Sequence, residues 1–265
     1  MQFKTPKKFI FIIFLICSLF ISFSNFGSYA PLQKTHKSKS LNSFNIFEKA
    51  VLTESSMVTS KGNENIYSFP LDVTDDNLVK TAFSKILNEF KDLDLCIFCS
   101  GAYDPKLEKE INKEQIKKIM NINFFGVLNC IKTVEEYFKN KKKGHISIVS
   151  SVAAYRGLPN SSGYGPSKAA LTNLTESLYF DFKKHNVRVS LVSPGFIKTP
   201  LTNQNTFNMP FIKTPEFAAD KIYSGLTASS SFEIHFPKEL TVFLKILRIL
   251  PYRAYLFIVN KFVKR

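Results

Sequence analysis

Residues 145–171 read HISIVSSVAAYRGLPNSSGYGPSKAAL. An apolar run ends at Ser151, a loop rich in Gly, Ser, Asn and Pro follows, and a helix-forming sequence begins near Tyr164. Short apolar strands that alternate with helices indicate a parallel sheet covered on both faces. Ligands of such sheets bind at the carboxyl ends of the strands, so we expect Ser151 and Tyr164 to lie in a site.

The same alternation extends over residues 61–199. Three further apolar runs, NIYSFPLDV, LDLCIFCSG and VRVSLVSPG, end at turn-forming residues. The helical sequences around them cover residues 76–90, 113–138 and 166–185. After residue 200 follow a helix, PEFAADKIYSGL, a short strand, FEIHF, and two apolar and basic stretches. These patterns predict an α/β fold with a doubly wound parallel sheet.

Tyr164 and Lys168 lie four residues apart at the start of a predicted helix, so their side chains share one face. A fixed ammonium group lowers the pKa of a nearby phenol, which can then exchange a proton with a substrate oxygen. Ser151 precedes Tyr164 by thirteen residues and could hold that oxygen by a hydrogen bond. Tyr137 and Lys141 repeat the spacing, and we interpret them as a chance match on a basic helix end.

The segment VSSVAAYRGLPNSSGYGPSKAAL resembles the catalytic segment of the short-chain dehydrogenase/reductase family. This resemblance implies a Rossmann-like fold, NAD or NADP as cofactor, and hydride transfer between a small-molecule alcohol and a ketone or aldehyde. It implies that Tyr164 is the acid/base, supported by Ser151 and Lys168. Asn123 in NINFFG matches a fourth catalytic position, which kinks a helix and holds a water molecule in the family.

The resemblance also implies a set of cofactor-binding residues, which comprises Asp72, Val73, Gly101, Lys168, Pro194, Gly195 and Thr199. Asp72 and Val73 match the pair beside the adenine, and Lys168 would bind the nicotinamide ribose. Gly101 is the one residue retained where the family has Asn-Asn-Ala-Gly, and the last three positions flank the nicotinamide. Taken alone, Asp72 could equally be a turn residue, and Thr199 an ordinary loop residue.

Residues 1–60 depart from the family pattern. The family opens with a glycine-rich turn that binds the pyrophosphate, but Gly27 is the only glycine before residue 62. Residues 9–30 are apolar and follow several lysines, as in a signal peptide or a membrane anchor. Alternatively, residues 1–60 were translated in a shifted reading frame.

The first β-α-β unit is therefore expected to be missing or degenerate, and the dehydrogenase-like domain to span residues 61–265. We expect dinucleotide to bind weakly or not at all, residues 1–60 to be poorly packed or detached, and residues 9–23 to form a helix rather than a strand. Residues 7–13 are the one stretch there that could be a first strand.

The net charge of +15 is spread along the chain without a recognition motif, so we do not expect nucleic-acid binding. Cys96 and Cys99 lie in a predicted strand without partners for zinc, so no metal is expected. The family implies a cytoplasmic homo-oligomer, whereas a genuine apolar segment at residues 9–30 would imply membrane association or export. Residues 240–263 should form helices that pack on the domain or lie at a surface and do not span a bilayer, because charges interrupt them. An inactive family member and a membrane-associated lipid reductase remain alternative functions.

Overall fold

A computed structural model of the protein describes residues 11–15, 49–53, 66–104, 110–199, 201–205, 207–227 and 230–262. The described strands are β1 (Phe11–Leu15), β2 (Lys49–Thr53), β3 (Ile66–Pro70), β4 (Leu95–Phe98), β5 (His145–Val149), β6 (Arg188–Pro194) and β7 (Glu233–Phe236). They form one parallel sheet in the order β3-β2-β1-β4-β5-β6-β7. The chain thus builds the sheet outward from β1 in one direction and then in the other. Such a reversal creates a crevice beside the carboxyl ends of the central strands.

The described α-helices are α1 (Asp76–Phe90), α2 (Lys113–Met120), α3 (Gly126–Lys141), α4 (Tyr164–Lys183), α5 (Pro215–Thr227), α6 (Lys238–Ile249) and α7 (Tyr252–Phe262). Side-chain caps fix where two of them begin. The Asp75 side chain accepts hydrogen bonds from the backbone at the start of α1, and Asn112 does so for α2. A π-helical turn, Asn121–Phe125, joins α2 to α3.

Helices cover both faces of the sheet. On β4, Cys96 and Phe98 pack in the layer that contains α1, α3 and α4. Leu95 and Ile97 point to the opposite face and pack in the layer that contains α5. This alternation confirms the predicted α/β fold with a doubly wound parallel sheet, whose strands are apolar on both faces.

The N-terminal segment corrects one prediction. Residues 11–15 form β1 instead of the helix predicted over residues 9–23, and β1 lies in the middle of the sheet between β2 and β4. The expectation that residues 1–60 are detached is therefore wrong for β1 and β2, which pair in the sheet. The glycine-poor connection expected to be degenerate, residues 16–48, lies outside the described residues. So does most of the predicted apolar anchor.

The C-terminal stretches form α6 and α7, as the sequence predicts, and pack on each other through Leu247, Tyr255 and Val259. Gly195 lets the chain after β6 pass close to the start of α6, because a Cβ there would lie 2.8 Å from Leu240 Cδ2. Within the described residues, no helix combines the length and the apolar character that crossing a membrane requires.

Candidate active site

The Lys168 side chain is buried at the carboxyl edge of the sheet. Its Nζ donates to the carbonyl oxygens of Ser100, 2.9 Å away after β4, and Val149, 3.1 Å away at the end of β5. Burial lowers the pKa of this ammonium group to about 8. Gly101 lies beside it, since a Cβ at that position would be 3.6 Å from Nζ. The structure thus brings two predicted residues, Lys168 and Gly101, together.

Tyr164 begins α4 and shares a face with Lys168. Lys168 Nζ lies 5.9 Å from the centroid of the Tyr164 ring. The ring of Tyr103, which follows β4, packs on Tyr164 with a centroid separation of 5.1 Å and an interplanar angle of 55°. The Tyr164 ring thus has an ammonium group and a second aromatic ring as neighbours at the carboxyl edge of the sheet.

Asn123 is fully buried in the π-helical turn and links this turn to the neighbouring elements. Its Oδ1 accepts from Ala102 N at 2.6 Å, and its Nδ2 donates to Ala102 O at 3.0 Å and to Ser167 Oγ at 2.9 Å. Ser167 Oγ in turn donates to Tyr164 O at 2.7 Å. Asn123 therefore joins the loop after β4 to the first turn of α4. The helix irregularity that the family resemblance implies is present as a π-helical turn.

Ser151 follows β5 and caps a short 3₁₀ turn, Val152–Ala154, by accepting from Ala153 N at 3.2 Å. Its neighbour Ser150 fixes this position on α4. Ser150 Oγ donates to Lys168 O at 2.8 Å and lies 2.9 Å from Thr172 Oγ1. Since Val149 O accepts from Lys168 Nζ, Ser151 lies two residues from a direct contact of the lysine.

The second Tyr–Lys pair lies at the opposite edge of the sheet. Tyr137 OH accepts from Leu93 N at 2.9 Å and donates to Asp92 Oδ1 at 2.8 Å, just before β4 begins. Lys141 pairs with Asp92 at 2.5 Å and with Asp94 at 3.3 Å. Burial and the Asp92 carboxylate raise the pKa of Tyr137. This pair is thus a structural link at the amino edge of the sheet.

Asp72 and Val73 lie at the carboxyl end of β3, but their described contacts are structural. The exposed Asp72 side chain accepts from Thr74 N and Thr74 Oγ1, both at 2.8 Å, which closes a turn before α1. Val73 is buried against α3, where Gly126 allows the close approach, since a Cβ there would lie 2.2 Å from Val73 Cγ2. The structure does not bring these two residues into contact with Lys168.

The three positions after β6 form a compact turn region. Pro194 ends β6, and Gly195 N donates to Phe236 O at 2.7 Å. Thr199 N donates to Thr202 Oγ1 at 3.0 Å, and the Thr202 hydroxyl bridges this turn to Ile197 O. These contacts position the segment at the carboxyl edge beside β7.

Sequence reasoning missed four polar or aromatic residues that position the site, namely Ser100, Tyr103, Ser150 and Ser167. Ser167 lies one residue before Lys168, and Ser150 one before Ser151, so proximity to the motif was the available signal. Tyr103 lies sixty-one residues from Tyr164 in sequence, and no local pattern connects the two.

Comparison with known proteins identifies the family that the chain matches. Residues 48–209 match the short chain dehydrogenase family. The chain is 32% identical over 181 residues to an uncharacterized oxidoreductase of Myxococcus xanthus, an alignment that covers 68% of this chain and 71% of that protein. It is 30% identical over 151 residues to 3-ketodihydrosphingosine reductase of Bacteroides thetaiotaomicron, which covers 56% of each. The chain thus spans little more than half the length of the second relative.

A solved structure shares the fold. A short chain dehydrogenase from Burkholderia cenocepacia in complex with NADP superposes with a TM-score of 0.71 at 22% identity, covering 83% of this chain and 91% of that one. The sequence match begins at residue 48, just before β2, and includes Asn123, Ser151, Tyr164 and Lys168. From the sequence match and the shared fold together, we conclude that the chain belongs to the short-chain dehydrogenase family.

Proposed function

We propose that the protein is an NAD(P)-dependent oxidoreductase that interconverts a small-molecule alcohol and a ketone or aldehyde. One observation carries the proposal. The buried Lys168 ammonium lies beside the Tyr164 ring at the carboxyl edge and bonds to two backbone carbonyl oxygens. Among the described residues, no carboxylate pairs with this ammonium, so its charge remains available to the phenol.

The described edge fits the nicotinamide end of a dinucleotide. Ser100 Oγ is buried there without a hydrogen-bond partner in the described part of the chain, next to the carbonyl that Lys168 binds. Lys168 could donate to ribose hydroxyls, with Gly101 leaving room beside it. NAD or NADP would supply or accept the hydride, and the similar Burkholderia structure is a complex with NADP. Pro194, Gly195 and Thr199 are proposed to flank the nicotinamide.

The chain's own groups handle the proton and the substrate oxygen. Tyr164 OH donates its proton to the carbonyl oxygen during reduction and takes it back during oxidation. The Lys168 charge stabilises the phenolate that forms. Ser151 Oγ donates to the same oxygen and orients it. Asn123 acts through other residues, because it fixes the first turn of α4 relative to the loop after β4.

A non-catalytic family member is the alternative function, and one observation favours it. Residues 16–26, which follow β1, contain no glycine, although a pyrophosphate turn needs backbone N–H groups that side chains do not block. Asp72 and Val73 are proposed to border the adenine, but they cannot replace that turn. The proposed active enzyme therefore binds its cofactor chiefly through the nicotinamide end, with an affinity weaker than micromolar.

Deuteride transfer tests the proposal. The full chain is incubated with a panel of ketones and aldehydes and with NADH or NADPH deuterated at the transferable position, at millimolar concentration. Deuterium in the alcohol product, absent with Tyr164→Phe, supports the proposed function. If the wild-type chain transfers no label to any substrate, the catalytic proposal fails. Retention of dinucleotide without transfer would then identify a binding protein. The proposed homo-oligomer is checked separately by sedimentation.

A further inference from the structure

Helix α6 exposes an apolar stripe along one side. Val242, Phe243, Ile246 and Ile249 are all exposed, and Ile249 retains 81% of its accessible surface. Phe243, Ile246 and Ile249 follow one another at intervals of three residues, and Val242 lies four residues before Ile246, so all four fall on one side of the helix. Leu240 and Leu247 are buried. Isolated exposed apolar residues are ordinary, but four on a single helical face are unusual for a solvated surface.

The stripe continues through the bend into α7. Tyr252 is 76% exposed and lies three residues after Ile249, and Leu256 and Phe257 follow, with Phe257 68% exposed. The buried side of α7 is formed by Tyr255 and Val259. Each helix thus packs on the protein through one side and exposes apolar residues on another side.

This helix pair is held firmly on the domain. Arg156 Nη1 donates to the carbonyl oxygens of Leu247 and Leu250 at 3.0 and 2.7 Å, and its guanidinium lies over the rings of Tyr252 and Tyr255. Tyr255 OH donates to Gly157 O at 2.5 Å. The exposed apolar face is therefore a fixed surface of the folded protein.

The charges on this surface are almost entirely positive. Arg248, Arg253 and Lys261 are exposed among the apolar residues. Glu239 is the only acidic residue in positions 238–265, and it lies 4.0 Å from Lys213. A matching partner must accept apolar side chains and supply negative charge next to them.

We propose that the exposed faces of α6 and α7 dock on the surface of a bilayer that contains anionic lipids. Apolar side chains that enter the headgroup boundary, flanked by arginine and lysine, are the arrangement by which interfacial helices bind. A symmetric contact with a second copy would bring the same basic residues together and cost electrostatic energy. Nucleic acid would neutralise the arginines but leave the aromatic and aliphatic residues in water.

Vesicle sedimentation of the full chain tests the proposal. We expect stronger binding to phosphatidylcholine vesicles that contain phosphatidylglycerol than to phosphatidylcholine alone. The triple variant Phe243→Ser, Ile246→Ser, Ile249→Ser should bind about tenfold or more weakly, because three side chains leave the interface. Ile111→Ser is the matched control, since Ile111 is 90% exposed and precedes α2, far along the chain from the docking surface. The proposal fails if the triple variant binds vesicles as strongly as the wild type and a tryptophan reporter placed in the docking surface, described next, does not respond to vesicles.

The local measurement uses the absence of tryptophan from the chain. Phe257→Trp introduces a single reporter in the docking surface, and Ile111→Trp introduces one outside it. The reporter at position 257 should shift to the blue with anionic vesicles and be quenched by brominated acyl chains, whatever residues 9–30 do. An unshifted, unquenched reporter at position 257 would overturn the proposal. So would a triple variant whose only change is a smaller oligomer, because the partner would then be a second copy.

Discussion

The two Tyr–Lys pairs of this chain have the same spacing but opposite surroundings. Tyr164 and Lys168 begin α4 at the carboxyl edge of the sheet, where the ammonium binds carbonyl oxygens of the loop after β4 and the end of β5. Tyr137 and Lys141 end α3 at the amino edge, where both bind Asp92. The chemistry of each pair follows from its neighbours, because spacing alone is identical.

The Asp92 carboxylate accounts for the difference between the two Tyr–Lys pairs. At the amino edge, Asp92 accepts from Tyr137 and pairs with Lys141, so the phenol keeps its proton and the ammonium charge is neutralised. Burial opposes ionisation of Asp92, but hydrogen bonds from Lys141 and Tyr137 hold its pKa below the usual value. At the carboxyl edge, the described residues supply no such carboxylate to Lys168. Only there can an ammonium group stabilise a phenolate.

The largest expected effect is on turnover when the phenol oxygen is removed. Tyr164→Phe should lower kcat/KM by roughly 10²- to 10⁴-fold, because the proposed proton carrier is lost. Tyr137→Phe, the matched control, should stay within about twofold of the wild type. Steady-state kinetics with the substrate found by label transfer measures both. Equal losses of kcat/KM in the two variants would show that the two pairs do not differ in function.

Replacing the lysine of each pair should distinguish the two pairs by the pH dependence of the reduction rate. The pKa of Lys168 is lowered to about 8, so the charge is present below that pH and lost above it. The reduction rate of the wild type should therefore fall as pH rises through about 8. The reduction rate of Lys168→Met should be about 10²-fold lower at neutral pH, and it should no longer fall as pH rises through about 8. Lys141→Met should keep the wild-type profile, and a Lys141 variant without the step would contradict the assignment.

The link made by Asn123 should matter for both rate and stability. Asn123→Ala leaves Ala102 N and O buried without their partner, which should lower the free energy of unfolding by about 1–3 kcal/mol. It also frees the first turn of α4, so kcat should fall by about tenfold. Denaturant unfolding and kinetics measure the two effects. A stability loss with an unchanged kcat would make Asn123 purely structural.

The smallest expected effect is a loss of stability when the Tyr137 hydroxyl is removed. Tyr137→Phe removes one of the two acceptors of Leu93 N, which also donates to Asp92 Oδ1, and it removes the phenol donor to Asp92, so the free energy of unfolding should fall by about 1 kcal/mol. Thermal unfolding of Tyr137→Phe and the wild type provides the measurement. An unchanged free energy of unfolding would mean that this hydroxyl does not link α3 to the chain before β4.

Much of the fold follows from local pattern. The apolar runs that became β3 to β7 and the helical sequences between them were recognisable because each depends on neighbouring residues. The prediction failed for residues 11–15, where a continuous apolar run suits a helix or a buried strand equally well. The register of β1 with β2 and β4 selects the strand. Backbone pairing of this kind is independent of side-chain identity, so the sheet accepts β1 even though no glycine-rich turn follows it.

The sequence by itself determined the order of strands and helices and the spacing of Ser151, Tyr164 and Lys168, because these are short-range properties of the chain. Only the tertiary structure decided which Tyr–Lys pair lies at the carboxyl edge of the sheet, that Asn123 lies in a π-helical turn, and that Tyr103 packs on Tyr164. Each of these depends on contacts between residues distant in sequence, and such contacts form only when the whole sheet is assembled.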